Sequence, residues 1–543
     1  MIVRITQFVT HSSRNSIAAG ALVVSLFGIA SRLLGLVRDR ILASHYGAGD
    51  VLDIYYAAFR LPDFVFELLV VGSLGAAFIP VFSKLIAKKD REEAWDCANG
   101  VFVTIVFLIT ILAIMGIIFA PWLMHFIVPG FPEEKMVASA ELARIMFLSP
   151  IFLAASSVLG GILVSFRRFI FYSMAPLFYN VGIIIGAVFF VPHIGLVGLA
   201  WGVVFGSFLH FFVNLIAAVS AGFRFRYLKS VPYKNTNVVQ TMRLMAPRMF
   251  TSASNQISLL LITLFASTLA AGSLTVFTFA INIQSVVLGV IGVPFALAAF
   301  PVLSNKFAVG DTDAFVGVLS QTLRRILYYA VPLSIIFFVL REQIVRVVYG
   351  AGHFDIEDTV LTYQVLGTLC VSLFAQSVIP LLARGFYAMQ NTKTPFYIVI
   401  ASQVINVIMI ISLIRFLGIY AIALAFSVTA VFNASILFVV LHRSFAEHEY
   451  RKTLRTAMQI AIATFVTFIV TFFSRNILGS FLPLQYVWGV LAQLVFSGLC
   501  GGLTYLFVTA IFEMREYETI KKKIIIRIFG RPQVATEQQN IAR

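Results

Sequence analysis

The sequence predicts an all-α polytopic membrane protein with fourteen transmembrane helices, built as two six-helix lobes related by a parallel repeat plus two extra helices. Three observations lead there. Of 543 residues, 60% are hydrophobic and only 12% charged, and the mean hydropathy is +0.95. A soluble domain of this size needs more polar surface to cover its core. Next, the apolar residues come in runs that match the ~20 residues of helix a bilayer requires; stretches 101–121, 394–414 and 486–512 hold no formal charge. Finally, the basic residues alternate between rich and poor connections, as orientation in a membrane demands. Strand barrels give short alternating segments instead.

The expected spans are 17–44, 51–84, 96–128, 138–166, 169–192, 194–222 and 237–270 in the first seven positions. The remainder are 273–305, 313–349, 359–389, 394–416, 418–442, 454–478 and 486–512. One set of connections carries Lys84, Lys88 and Arg91, then Arg167 and Arg168, then Arg224 and Lys234, then Lys306 and Lys393, then Arg443 and Lys452. The opposite set offers only Lys135, Arg341, Arg346, Arg415 and Arg475. The basic set is expected to be cytoplasmic, with both termini on that side, which requires an even number of spans. The net charge of +16 therefore reads as topology, not as a nucleic-acid surface. Cys97, Cys370 and Cys500 are scattered and form no metal or redox motif. Residues 1–16 read as a cytoplasmic lead-in without a cleavable signal, and 513–543 as a basic cytoplasmic tail.

The chain repeats itself. Residues 41–49 (ILASHYGAG) resemble 264–272 (LFASTLAAG), and 77–81 (AFIPV) resemble 298–302 (AAFPV). Ala175-Pro176 and Thr394-Pro395 form a third pair. The offsets of 223 (264 − 41), 221 (298 − 77) and 219 (394 − 175) agree closely. Six spans per repeat is an even number, so both halves enter from one side and the repeat is parallel. The expected domains are an N-lobe at 17–222, a C-lobe at 237–442 and an extra pair at 454–512.

Ionisable side chains appear inside the first two spans. Span one ends with Arg32, Arg38, Asp39 and Arg40; span two holds Asp53, Arg60, Asp63 and Glu67. Each costs at least about 2.5 kcal/mol at membrane depth, so such groups face protein or water and are paired. Asp53, Arg60 and Glu67 are seven apart and share a helix face, although Pro62 is expected to kink that helix. Two readings stand for Arg38, Asp39 and Arg40: a cavity lining, or an interfacial cluster that snorkels toward the Gly47–Gly49 turn. Asp53 either lines the cavity or caps span two. Asp63 and Glu67 either take part or merely neutralise Arg60. Span seven adds Arg243, read as an inner anchor, and Arg248 one turn deeper. Asn255, Gln256, Asn282 and Gln284 read mainly as interhelical hydrogen-bond glue. Arginine's planar fork suits phosphate and diphosphate, so these bases point to an anionic substrate.

No metal-spaced cluster, Walker loop or nucleophile elbow is present. Uphill transport would draw on an ion gradient, the membrane potential or substrate flux.

Residues 31–39 (SRLLGLVRD), 47–49 (GAG), Asp53, 59–62 (FRLP) and 77–80 (AFIP) resemble the MurJ (MviN) lipid II flippases. These belong to the multidrug/oligosaccharide-lipid/polysaccharide exporter superfamily. Residues 255–258 (NQIS), 349–354 (YGAGHF) and 384–395 (RGFYAMQNTKTP) extend the resemblance in order along the chain. It implies two six-helix lobes around a cationic cavity, with a two-helix groove for a lipid tail. The implied function is flipping of the undecaprenyl-diphosphate-linked peptidoglycan precursor lipid II, from the inner to the outer leaflet of the bacterial cytoplasmic membrane, by alternating access. A transporter without a cofactor is expected, not an enzyme; its partners would be lipid II or a related polyprenyl-diphosphate glycan, the bilayer and cell-wall synthesis enzymes. By resemblance, Arg32 and Arg38 match cavity arginines, Asp39 and Asp53 match family carboxylates, and Arg60 stands where a base is common. Two positions depart. Phe66, beside Glu67, replaces an arginine of the second helix, and Asn282 replaces one of the eighth. No carboxylate stands in spans seven, eleven or twelve, where some relatives hold sodium. The expected headgroup site is Arg32, Arg38, Asp39, Asp53, Arg60 and Arg248, with Glu67 and Asn282 secondary. The rivals are an exporter of another polyprenyl-linked glycan, a drug exporter, a membrane glycosyltransferase or acyltransferase using His353, Asp355 and Glu357, and a non-transporting scaffold.

Overall fold

The computed structural model describes residues 17–71, 74–88, 90–225, 232–443, 448–519 and 521. The 1–16 lead-in and the tail beyond 521 lie outside the described residues. Helix is the only extended regular structure among those described. Helices α1 (Ile17–Tyr46) and α2 (Asp50–Phe66) are joined by a short turn at Gly47, whose φ is +64°. Helix α2 continues through Pro62, and its ladder widens into a π turn over Glu67–Val71 before α3 (Leu74–Ala87). The π turn begins five residues after Pro62, where the ladder departs from α-helical pairing.

The chain continues through α4 (Arg91–Ile127), α5 (Glu133–Met146), α6 (Ser149–Ser165), α7 (Phe169–Ile185), a second π turn at Gly186–Phe190, α8 (Val191–Ile194) and α9 (Val197–Ser220). Then come α10 (Thr236–Ser267), α11 (Ser273–Val290), α12 (Gly292–Ala308), α13 (Thr312–Val339), α14 (Arg341–Val348), α15 (Ile356–Cys370) and α16 (Leu373–Ala388). The last are α17 (Lys393–Leu417), α18 (Ile419–Arg443), α19 (His448–Phe481) and α20 (Val487–Ile511). Among the described residues ten helices are long and apolar enough to cross a bilayer, or eleven if α15 and α16, bent by 47°, form one span. The charged helices α1 and α2 are not among the ten, so fourteen remains an expectation from sequence.

Local chemistry explains the helix ends. Asp90 accepts the Glu93 N–H at 3.1 Å and starts α4, with Glu92 and Glu93 in its first turn. Asn235 caps α10 through the N–H groups of Asn237 and Val238. Asp311 caps α13 at Ala314 and pairs with Lys306 at 3.0 Å; both contacts hold its carboxyl below the usual range.

Two compact units emerge. The first comprises Met1–Gly289, Val348–Leu369 and Phe396–Thr429; the second comprises Val290–Val347, Cys370–Pro395 and Ala430–Arg543. Within the first, Phe78 and Phe82 stack at 5.2 Å in a core that also buries Val101, Ile105, Leu159 and Ile162. Phe66 packs against this core, an apolar role for the position where the resemblance expects an arginine. Helices α7 and α9 touch backbone to backbone along a glycine stripe. A Cβ on Gly182 would sit 2.2 Å from Gly206 Cα, and one on Gly186 2.3 Å from Gly202 Cα. Small residues let membrane helices approach this closely. Gly202→Leu is expected to cost at least about 1–3 kcal/mol of overpacking, read as a lowered melting temperature of the purified protein.

In the second unit, α19 and α20 attach to α13. The Tyr505 hydroxyl donates to the Tyr328 carbonyl at 2.8 Å, and the Tyr328 hydroxyl meets Thr509 Oγ1 at 3.0 Å.

Candidate substrate-binding site

The charges of α1 and α2 converge on one face of α11, all within the first unit. That helix reads Ser273-Leu-Thr275-Val-Phe-Thr278-Phe-Ala-Ile-Asn282-Ile-Gln-Ser285-Val-Val-Leu-Gly289. Thr275, Thr278, Asn282, Ser285 and Gly289 follow a 3-4-3-4 spacing, which places them on a single face. The face runs about 21 Å at 1.5 Å per residue, and each of its positions meets an ionised side chain of the first two helices.

At one end, Asp53 is 2% exposed and accepts four hydrogen bonds. Its Oδ1 takes the Thr275 N–H at 2.9 Å and Thr275 Oγ1 at 2.8 Å; its Oδ2 takes the Gly272 N–H at 2.8 Å and Lys135 Nζ at 3.1 Å. These four donors match the four acceptor sites of a carboxylate. Asp53 therefore caps α11, where orphan N–H groups and the helix dipole favour an anion. This corrects the reading in which it caps its own helix: the α2 N-cap is Gly49, without a side-chain cap. Lys135 also bonds Asp50 at 2.7 Å.

One turn further along α11, Arg60 bridges two hydroxyls. Its Nε donates to Thr263 Oγ1 at 2.9 Å and its Nη2 to Thr278 Oγ1 at 3.3 Å. Among the described residues, no carboxylate lies within 4.0 Å of this guanidinium, so Asp63 and Glu67 do not pair with it directly.

The next level is a closed network. Asp39 is 1% exposed. Its Oδ1 accepts Arg38 Nε at 2.9 Å and Nη2 at 2.7 Å, and its Oδ2 accepts Asn282 Nδ2 at 2.8 Å. Arg38 Nη1 donates to Asn180 Oδ1 at 3.1 Å, and Asn180 is anchored to the Pro176 carbonyl at 3.0 Å. Arg38 and Asp39 are thus bound inward to α7 and α11, which removes the interfacial reading for them. Arg40 instead donates to the Val348 carbonyl at 3.2 Å. Asn282 fills the place of an expected arginine with a neutral donor that satisfies a carboxylate.

At the far end, exposed Arg32 donates to the Ser285 carbonyl. Gly289 makes room: a Cβ there would lie 1.8 Å from Arg32 Cζ. Arg32 sits at the C-terminal turn of α11, where the dipole favours a cation. Arg248 lies on α10, but its side chain is outside the described residues, as is that of Asn255. Gln284 is buried and donates to the Leu369 carbonyl at 3.0 Å, as hydrogen-bond glue.

The Asp53 end of this face continues into a set of backbone contacts around the α1–α2 turn. The His353 N–H donates to the Ser44 carbonyl at 2.9 Å, and the Ala48 N–H to Asp358 Oδ2 at 2.8 Å. A Cβ on Gly272 would lie 2.0 Å from the Ala48 carbonyl oxygen, and one on Gly352 2.1 Å from that of Ser44. Both glycines also have positive φ, +86° and +60°. His353 contributes backbone here, and Asp355 caps α15 at the Asp358 N–H, 2.8 Å away. These roles are structural. No three His, Cys, Asp or Glu residues form a metal-holding group among the described residues.

Of the α11 face the sequence reading singles out Asn282 alone; Asn180, Lys135, Thr263, Thr275, Thr278 and Ser285 are not read there as part of the site. The signal was there: small polar residues at 3-4 spacing in an otherwise apolar helix, opposite a charged pair of helices.

A helical bundle of membrane spans with ion pairs and guanidinium groups arrayed along a polar face is a membrane transporter. Residues 42–492 match the family described as "Lipid II flippase MurJ", and the chain belongs to that family. Its relative in Vibrio cholerae, named "Probable lipid II flippase MurJ", is 29% identical over 505 residues, covering 91% of this chain and 95% of that one. A solved structure titled "Lipid II flippase MurJ, inward closed conformation" shares the fold with TM-score 0.74 at 23% identity, covering 92% of this chain and all of that one (100%). A multidrug resistance MATE family transporter of the MOP superfamily, solved facing inward, superposes at TM-score 0.65 and 15% identity, over 78% of this chain and 98% of its own. The family is one of transporters, not enzymes.

Proposed function

We propose that this chain flips lipid II from the inner to the outer leaflet of the bacterial cytoplasmic membrane by alternating access. The observation that carries the proposal is the polar face of α11. Arg32 and Arg60 donate there to neutral oxygens, and the exposed guanidinium of Arg32 is open to a diphosphate, whose oxygens its planar fork matches. Arg38 and Asp39 neutralise each other and shape the site; Asn282 and Asn180 orient them. Asp53 and Lys135 latch one end. By the charge asymmetry of the connections, that end is the outer side and both termini are cytoplasmic. Arg248, two repeat-related six-helix lobes and coupling to the membrane potential or an ion gradient belong to the same reading.

Arg32→Ala is expected to abolish translocation of lipid II in vesicles and growth of a flippase-depleted strain, while membrane insertion stays normal. Unimpaired complementation by that variant would overturn the assignment. A second reading is favoured by Phe66 and Asn282, which leave the site less cationic than the resemblance implies: export of another polyprenyl-linked glycan. Vesicles offering both lipids separate the two readings by which one is moved.

A further inference from the structure

We propose that Tyr56 is a further substrate contact, whose hydroxyl donates to the phosphate oxygens of the cargo once α2 parts from α11. The proposal rests on the lipid II reading above and adds one donor to the same site.

Tyr56 is 7% exposed, and among the described residues its hydroxyl has no hydrogen-bond partner. Other buried tyrosines are satisfied. Tyr349 donates to the Phe279 carbonyl at 3.1 Å, Tyr505 donates to the Tyr328 carbonyl at 2.8 Å, and Tyr328 meets Thr509 Oγ1 at 3.0 Å. A buried hydroxyl without a partner works against the conformation that buries it. Packing does not account for it either. The ring meets Phe279 of α11 edge-on at 6.0 Å, a contact that phenylalanine would make equally well.

Position gives the hydroxyl a use. Tyr56 stands one turn before Arg60 on the same face of α2. It lies within electrostatic reach of Arg38 and Asp39, and of Arg60. A guanidinium has five N–H donors; Arg60 gives one to Thr263 and one to Thr278. In this conformation both side chains lie against α11. Alternating access parts α2 from α11 at this end and uncovers the hydroxyl and the guanidinium side by side. A neutral donor beside a planar fork fits neighbouring oxygens of a diphosphate. A sugar hydroxyl has no need of the base, and an ammonium group would be repelled by it.

Native mass spectrometry of the purified full chain tests this, with undecaprenyl diphosphate and undecaprenol offered together. The ratio of the two bound lipids is the readout, because a shift in the balance between closed and open states alters both alike. The wild type should retain the diphosphate over the alcohol. Tyr56→Phe should lower that preference roughly tenfold, the effect of one hydrogen bond to a charged group. Its melting temperature in detergent should equal or exceed that of the wild type, and its translocation of lipid II in vesicles should slow. An unchanged lipid ratio or a wild-type translocation rate overturns the proposal. So does a lowered melting temperature, which would assign the hydroxyl to a structural bond. Arg32→Ala separates this inference from the reading beneath it. Lost translocation by Arg32→Ala with unimpaired Tyr56→Phe removes Tyr56 alone, whereas normal translocation by Arg32→Ala removes the lipid II reading itself.

Discussion

Asp53→Asn is expected to stop translocation while leaving the protein folded and inserted. The carboxylate accepts two hydrogen bonds from Thr275, one from Gly272 and one from Lys135. An amide of the same shape turns one acceptor oxygen into a donor, facing groups that are themselves donors. It also leaves Lys135, which is 10% exposed, with the exposed Asp50 as its carboxylate partner beside the Phe131 ring. Breaking a buried pair in this way costs about 3–5 kcal/mol. A penalty of this size falls only on the conformation in which Asp53 meets α11, so it shifts the population toward the opposite state by roughly two orders of magnitude or more. A transporter that rarely closes on that side cannot reload. The expected readout is a translocation rate in vesicles reduced at least tenfold, on the order set by that shift. Transport at the wild-type rate would show that this contact does not gate the cycle.

Asp39→Ala is expected to be as damaging, for a different reason. Asp39 takes two hydrogen bonds from Arg38 and one from Asn282. Without it, Arg38 retains only Asn180, and a largely buried guanidinium is left without its counter-ion. The loss is again about 3–5 kcal/mol, but here it falls on every conformation that keeps Arg38 inside the protein. Lower melting temperature and reduced yield should therefore accompany loss of transport, unlike Asp53→Asn. Asn282→Leu removes one charge-assisted bond and should cost less, about 1.5–3 kcal/mol. Asp39→Ala and Asn282→Leu combined should be less than additive, since both delete the same contact. Full additivity of their effects on melting would separate the two residues.

The helical fold was legible because a bilayer forces apolar runs of fixed length, and those runs stand out in the composition. The importance of Arg32, Arg38, Asp39, Asp53 and Arg60 was legible for the same reason: charge inside an apolar span is conspicuous. Their partners were not. Thr263, Thr278, Asn180 and Ser285 are ordinary residues for membrane helices, and nothing in the spacing of α1 and α2 says which helix faces them. Asp53 illustrates the limit. A carboxylate in the first turn of a helix is ordinarily read as serving that helix, yet its oxygens bind the start of α11, 219 positions away at Gly272. Only tertiary packing assigns that role. The exact span count also escapes reading by length and composition, because helices charged along one face, such as α1 and α2, do not register as uniform apolar runs.

On the alternating-access reading, the Asp53 end of the α11 face is closed in this conformation and must open in each transport cycle. Ser44→Cys with His353→Cys, in a chain whose Cys97, Cys370 and Cys500 are replaced by alanine, tests this most directly. The backbones of Ser44 and His353 are hydrogen-bonded at 2.9 Å, so a short reducible thiosulfonate crosslinker should bridge the pair. Lipid II translocation measured in vesicles is predicted to stop on crosslinking and to recover on reduction. Undiminished translocation by the fully crosslinked chain would show that this end need not open.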